Sequence, residues 1–277
     1  PFLLRSPIIK NELISRQNES VLGYFTPSGT IAIAPDEIEH WVVTLNGQKG
    51  ANVSIDPSNA FTKKNTLLLT IETWGNLLPN LQSEVLEDVS KGLYDAKLTQ
   101  IIETFTKGQQ KVLIRFNPEM EVPVYTTPWQ RYGKLYIDAY RHMAMLVKRN
   151  STNIQLIWGP AGFMGLEEYY PGDDVVDYIS ITLNSETEKK YNRYPYYGNL
   201  QDQIHRKLHR LRFFGKPAII LGKKDTQVLP ILLSETDSIK KYKAIAYDHS
   251  LWKGSVTAHQ NDFILGLHDP NQLLTSH

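Results

Sequence analysis

Polar and aromatic side chains follow a short apolar segment in the stretch 111–129, which reads KVLIRFNPEMEVPVYTTPW. The apolar run Val112–Ile114 predicts a buried strand that turns polar at Arg115. The residues of interest beyond it are Asn117, Glu119, Glu121, Tyr125 and Trp129. A carboxylate at a strand end, beside an arginine and aromatic rings, is typical of acid–base chemistry on a sugar. The same residues also fit a strand followed by a solvated acidic loop.

Apolar segments of strand length recur along the chain and alternate with helical segments. Strands are predicted near residues 20, 51, 66, 111, 154, 177, 217 and 243. Helices are predicted over 35–45, 83–108 (with a break at Gly92), 132–148, 199–214 and 234–241, after an irregular lead-in over 1–19.

This alternation predicts the α/β class with a parallel sheet. Eight β-α units in a chain of 277 residues fit one (β/α)8 TIM barrel, so we expect a single domain over 1–277. An open doubly wound sheet is the alternative, but no glycine-rich phosphate turn follows the first strand. In a barrel, function belongs at the carboxyl ends of the strands. The polar and aromatic residues predicted there are Glu72, Trp74, Arg115, Glu119 and Trp158.

Composition narrows the function classes. With 30 Lys and Arg against 29 Asp and Glu, the charge gives no case for binding nucleic acid. The chain has no cysteine, which excludes thiolate catalysis and cysteine-ligated metal. We predict no cofactor. No apolar run is long enough to predict a membrane-spanning helix. The chain begins at Pro1 without a signal peptide, so we expect a mature or excised piece of a larger chain.

Several sequence blocks resemble glycoside hydrolase family 26, the β-mannanase-like group within the large clan of retaining barrels. The blocks are LLTIETW (68–74), DVSKGLYDAKL (88–98), VLIRFNPEMEVPVYTTPW (112–129), YIDAYRHM (136–143), NIQLIWGP (153–160), YYPGDDVVDYISI (169–181) and GKPAIIL (215–221). They keep the family's order over about residues 66–222. The resemblance implies a retaining hydrolase of β-linked polysaccharides, with mannans foremost and glucans or xylans also represented.

The resemblance implies two catalytic glutamates, of which Glu119 matches the acid/base. Retention requires the two carboxyl groups to stand about 5–5.5 Å apart. At the nucleophile position this chain has Gly222, and Asp225 is the nearest carboxylate along the strand. Pro118 replaces the family's histidine, and Glu121 with Val122 replaces its Asn-Gly. After strand six, the segment 182–184 lacks the tyrosine that supports the nucleophile.

Three hypotheses stay open. The chain is an active hydrolase with an unusual nucleophile, a non-catalytic module for glycan binding or polysaccharide assembly, or an inverting hydrolase. Inversion would use Glu119 as the acid, with Glu72 or Asp225 activating water.

The partner expected under each hypothesis is an oligosaccharide or polysaccharide, and the expected location is extracellular or periplasmic. Candidate sugar-binding residues are Glu72, Trp74, Arg115, Tyr125, Trp129, Trp158 and Tyr170. No metal is predicted. An acidic cluster at 167–168 and 173–174 lacks the ligand spacing of a known calcium loop, and His205 with His209 lacks a third ligand for zinc.

Overall fold

The computed structural model describes residues 13–16, 19–25, 31–32, 38–46, 66–75, 84–106, 111–123, 127–150, 153–183, 200–211 and 213–223. The strands predicted near 51 and 243 and the helix predicted over 234–241 lie outside the described residues.

Within these ranges several strands come first, and helical segments alternate with strands from residue 66 onward. The strands are β1 (Leu13–Arg16), β2 (Glu19–Phe25), β3 (Ile31–Ala32), β4 (Ile38–Asn46), β5 (Thr66–Gly75), β6 (Lys111–Phe116), β7 (Ile154–Trp158), β8 (Tyr178–Thr182) and β9 (Ala218–Lys223). The helices are α1 (Glu84–Ser90), α2 (Asp95–Thr106), α3 (Gly133–Asn150) and α4 (Leu200–Leu211), with a short 3-10 helix at Leu166–Tyr169.

All of these strands join one sheet in the order β1-β4-β5-β6-β7-β8-β9-β2-β3. The six strands from β4 to β9 run parallel to each other, which confirms the α/β class and the parallel sheet. Strand β2, near one end of the order, also contacts β4 near the other end, so the sheet curls. The carboxyl ends of six strands therefore meet along one curved edge.

The helix predicted over 35–45 is wrong, because this segment forms strand β4. Its apolar positions fit a helical period, but Val42, Val43 and Thr44 are β-branched and favour a strand. Strand β4 lies between β1 and β5, and residues on both of its faces are buried. A strand covered on both faces loses the alternating pattern that distinguishes it from a helix.

The lead-in predicted over 1–19 also contains a strand, since β1 pairs antiparallel with β4. The strand near residue 20 is confirmed as β2, but it runs antiparallel to β9. Only residues 26–37 separate β2 from β4, and β3 occupies part of that segment. Tyr24 and Phe25 pair antiparallel with Ala32 and Ile31, so β2 and β3 form a hairpin in place of a parallel crossover.

The helices over 83–108, 132–148 and 199–214 are confirmed, including the break between α1 and α2 at residues 91–94. Ile114 and Phe116 of β6 belong to the buried core that the helices cover. The rings of Phe116 and Tyr140 on α3 meet edge to face, and the Tyr136 hydroxyl donates a hydrogen bond to the Phe116 carbonyl at 3.2 Å. Among the described helices, none combines the length and the apolar character needed to span a membrane.

Candidate functional site

Strand alternation gives the sheet two faces with different chemistry. Ile114 and Phe116 face the helices, so Arg115 between them faces the inner side of the curled sheet. In the register Arg115 is level with Thr70 on β5 and Ile157 on β7, which therefore share its face. Only 3% of the Arg115 side chain surface is exposed. A guanidinium buried this deeply needs hydrogen-bond partners within the protein.

Arg115 finds one of these partners two strands away. Its Nη2 donates to Thr182 Oγ1 on β8 at 2.8 Å and so reaches past β7. The side chain can cross because residue 159, just after β7, is glycine. A Cβ on Gly159 would lie 2.6 Å from Arg115 Nε, closer than real Cβ atoms come, and 3.1 Å from Ser180 Oγ, which is a tight contact. Gly159 therefore provides the space in which Arg115 ties β6 to β8.

Asn117 links the ends of β6 and β5. Its side-chain Nδ2 donates to Thr73 Oγ1, and its Oδ1 accepts from the Thr73 backbone N–H, both at 2.8 Å. Its own N–H donates to the Ile71 carbonyl at 2.9 Å. The residue is fully buried and has φ 41°, in the left-handed region that asparagine tolerates better than most side chains.

Glu119 also has a left-handed backbone, with φ 61°, and 8% of its side chain surface is exposed. Its N–H donates to the Gly159 carbonyl at 2.8 Å, and its carbonyl accepts from Gln130 Nε2 at 3.1 Å. The preceding carbonyl, of Pro118, accepts from Trp129 Nε1 at 2.7 Å. Hydrogen bonds on both sides therefore hold Glu119 in a conformation that costs about 1–3 kcal/mol for a non-glycine residue.

Glu121 does not stand free beside Glu119. Its carboxylate accepts from the N–H of Phe163 at 2.9 Å and of Ala161 at 3.2 Å, in the loop after β7. Burial raises the pKa of Glu121, and the charge of Glu119 adds to the rise, while the two N–H groups oppose it. Glu121 therefore fastens two neighbouring loops of the carboxyl edge.

Two buried basic side chains near Arg115 were missed in the sequence. His40 on β4 shares a 2.8 Å hydrogen bond between its Nε2 and Thr70 Oγ1. Burial, together with the charge of Arg115, lowers the pKa of His40 to about 3, so the ring is neutral. Lys207 on α4 is 3% exposed and donates from Nζ to the carbonyl of Thr182. His40 was hidden in the segment read as a helix.

The aromatic residues expected to stack on sugars are placed differently. Trp158 is fully buried on the helix-facing side, where its ring meets those of Tyr170 at 5.0 Å and Phe214 at 4.9 Å. Trp129 is 1% exposed. An indole without an exposed face cannot stack on a sugar, so in this arrangement both rings serve packing rather than the pocket expected of them.

The other candidate sugar contacts are only partly defined. Glu72 is half-buried near the end of β5, and its register partner on β4 is Thr44. Tyr170 is half-buried, and its hydroxyl donates to Asp173 at 2.6 Å. Trp74 lies in β5, but its side chain is outside the described part, as is the whole of Tyr125.

Strand β9 carries the position matched to the nucleophile. Leu221 is the register partner of Thr182, so it shares the inner face with the hydroxyl that binds Arg115. Asp225 lies outside the described residues.

The acidic cluster at 167–168 and 173–174 is explained in part by ion pairs. Asp174 accepts two hydrogen bonds from Arg141, at 2.7 and 2.9 Å, which lower its pKa. Asp173 accepts from Tyr170. Within the described part of the chain, no three His, Asp or Glu side chains are grouped to hold a metal ion.

Comparisons with known proteins give distant similarities. No protein-family model matches the chain. It is 22% identical to the β-1,3-xylanase TXYA of a Vibrio species over 116 residues, which cover 39% of this chain and 24% of that protein. It is 23% identical to a β-1,3-xylanase of an Alcaligenes species over 113 residues, with the same shares covered. The match thus spans about a quarter of each xylanase.

Two solved structures are also similar. The YdhT protein from Bacillus subtilis superposes with a TM-score of 0.36 at 15% identity, covering 60% of this chain and 62% of that one. A GH5-4 broad-specificity endoglucanase from Clostridium longisporum superposes with a TM-score of 0.38 at 12% identity, covering 64% of this chain and 60% of that one.

Proposed function

We propose that this chain is a (β/α)8 module resembling endo-β-mannanases that binds a β-linked polysaccharide along the carboxyl edge of its sheet. The observation that carries the proposal is the strained, doubly hydrogen-bonded backbone of Glu119. Strain of this kind gathers at functional sites, because the surrounding structure must hold it in place. The carboxyl edge of a parallel sheet is also where such folds bind ligands.

The chemistry of the edge suits a sugar. Glu72 and Glu119 offer carboxylate acceptors for hydroxyl groups, and the buried Arg115 adds a positive charge on the inner face. The similarity to two β-1,3-xylanases supports β-linked xylan, beside mannan, as a ligand class. Contact with a polysaccharide of this kind would place the protein outside the cell or in the periplasm.

We further propose that hydrolysis with retention is impaired. That reaction needs a second carboxylate to attack the anomeric carbon, and Gly222 has none. Glu121 is already engaged by two backbone N–H groups. Glycan binding does not need the attacking group, so it would persist after this loss.

The second candidate is inverting hydrolysis, and the half-buried Glu72 on the strand beside Glu119 favours it. In this reaction Glu119 protonates the glycosidic oxygen and that bond breaks. Water bonds to the anomeric carbon from the other side and gives its proton to Glu72. The geometry requires the two carboxyl groups to stand about 6.5–9.5 Å apart.

Paired assays test the proposal. Binding to β-1,3-xylan, mannan and mixed-linkage glucan oligosaccharides is measured by calorimetry, and reducing ends are measured after long incubation. We expect binding at micromolar to millimolar dissociation constants without turnover. The variants are Glu119→Gln and, as a control, Glu103→Gln, an exposed glutamate on α2.

Turnover that Glu119→Gln abolishes and Glu103→Gln preserves would overturn the impaired-hydrolysis proposal. If Glu72→Gln abolishes it too, the inverting reaction is supported. If no oligosaccharide binds, the proposed function is wrong.

A further inference from the structure

The loop after β7, residues 159–165, lies beside the loop that carries Glu119. We call it the β7 loop. The Gly159 carbonyl accepts from the Glu119 N–H at 2.8 Å, and the Glu121 carboxylate accepts from the N–H groups of Ala161 and Phe163. The β7 loop is therefore bonded directly to the segment that carries Glu119.

Helix α4 also contacts the β7 loop. Arg210 donates from Nη1 to the Gly162 carbonyl. Gly162 has φ 80° and packs so closely on α4 that a Cβ would lie 2.6 Å from Lys207 Cγ. Bonds from the Glu119 loop on one side and from α4 on the other fix the loop in one position.

The fixed loop presents an apolar side chain to solvent. Met164 is 66% exposed, although most apolar residues around the site are buried. A single exposed apolar residue needs no explanation on an ordinary surface. Here, however, Met164 lies in a loop whose neighbouring backbone is bound by Glu121, two residues from Glu119. Methionine is polarizable and flexible, so it suits an apolar surface of variable shape.

We propose that Met164 packs against the apolar face of a sugar ring in the glycan bound at Glu119. This inference rests on the proposed function and names a contact for it. Trp158 and Trp129 are buried, so neither indole provides an aromatic surface on which a sugar ring could stack. Met164 offers an exposed apolar group on the same edge of the sheet.

The four methionines of the chain make a direct test possible. Labelling with methyl-¹³C methionine gives signals for Met120, Met143, Met145 and Met164, assigned through single leucine variants. Met145 is the matched control, because it is 49% exposed and lies on α3. The probes are β-1,3-xylo-oligosaccharides and β-1,4-manno-oligosaccharides, each titrated beside a calorimetric measurement of the same sample.

We expect the Met164 signal to shift with the calorimetric dissociation constant while the Met145 signal stays. Met164→Ala should weaken binding by roughly 5- to 20-fold, the scale expected for losing one buried apolar contact. Met145→Ala should leave the affinity unchanged. Binding without a Met164 shift, or with equal shifts of both exposed methionines, overturns the inference alone. Failure of both probes to bind the wild-type protein contradicts the proposed function itself.

Discussion

At the scale of single residues, the site is built around backbone conformations that side chains normally avoid. Asn117 and Glu119 are both left-handed, with one residue between them. Asn117 is stabilised through its side chain, which exchanges two hydrogen bonds with Thr73. Glu119 is stabilised through its backbone, by hydrogen bonds with Gly159 and Gln130. The first residue thus anchors the loop through its side chain, and the second through its main chain.

Substituting Asn117 separates conformational strain from hydrogen bonding. Asn117→Ala removes both bonds to Thr73 and keeps a Cβ in the left-handed region, whereas Asn117→Gly removes the bonds and relieves the strain. We expect both variants to lose stability, and alanine to lose about 1 kcal/mol more than glycine. Urea unfolding measures the difference. Equal stability of the two variants would show that the backbone at residue 117 is not strained.

The glycine at position 159 should be indispensable because of Arg115. In Gly159→Ala the new methyl group would lie 2.6 Å from Arg115 Nε, so the guanidinium must leave Thr182. We expect a loss of about 1–3 kcal/mol in unfolding free energy, typical of overpacking, together with weaker glycan binding. The matched test repeats Gly159→Ala in an Arg115→Met background, where the clash is relieved. If the two losses simply add, Arg115 is not what the methyl group meets.

At the scale of elements, the sequence predicts what is local and misses what depends on neighbours. The central strands and the helices over 83–108, 132–148 and 199–214 follow from periodicity and apolar runs. Strand β4 was misread because residues on both of its faces are buried, so the segment lacks the alternating pattern of a half-exposed strand. Trp158 was expected in the pocket, but strand alternation places it on the helix-facing side with Leu156. Ile157 is the register partner of Arg115 and lies with it on the inner face. Leu156 and Ile157 put an apolar residue on each face of β7, so these two residues do not tell the faces apart in the sequence.

We expect the buried carboxyl group of Glu121, which joins two loops, to make the unfolding free energy of the protein depend on pH. The pKa of Glu121 is raised above its ordinary 4.5, mainly by burial. Between 4.5 and the raised pKa, the folded state binds more protons at this residue than the unfolded state does. Stability from Glu121 is therefore fully present below about pH 4.5 and is lost as the pH rises through the folded-state pKa.

Glu121→Gln should remove this contribution. We expect its unfolding free energy to fall less steeply than that of the wild type as the pH rises from about 4.5 toward neutrality. Glu103→Gln on the exposed face of α2 is the control for a Glu-to-Gln substitution outside the loops. Chemical unfolding over a pH series provides the comparison. A Glu121→Gln slope identical to that of the wild type would mean that burial does not perturb this carboxyl group.

At the scale of the whole molecule, the site joins residues that are distant in the chain. Arg115 meets Thr182, which is 67 residues later, and the N–H groups that hold Glu121 come about 40 residues after it. The sequence indicates Arg115 and Glu119 because they directly follow an apolar strand. It does not indicate Gly159, Gln130 or Lys207, whose roles exist only once the strand ends are side by side.

A last prediction concerns the position on β9 that the resemblance matches to the nucleophile. The resemblance places the missing carboxylate at Gly222, one residue after Leu221, which is the register partner of Thr182. We expect Gly222→Glu to create hydrolysis with retention that a second substitution, Glu119→Gln, abolishes, and Lys223→Glu to create none. Proton NMR of the released sugar gives the anomeric outcome. Activity in Gly222→Glu alone would favour the position given by the resemblance. Absence of activity in both variants would mean that one added carboxylate does not reach the spacing of about 5–5.5 Å required for double displacement.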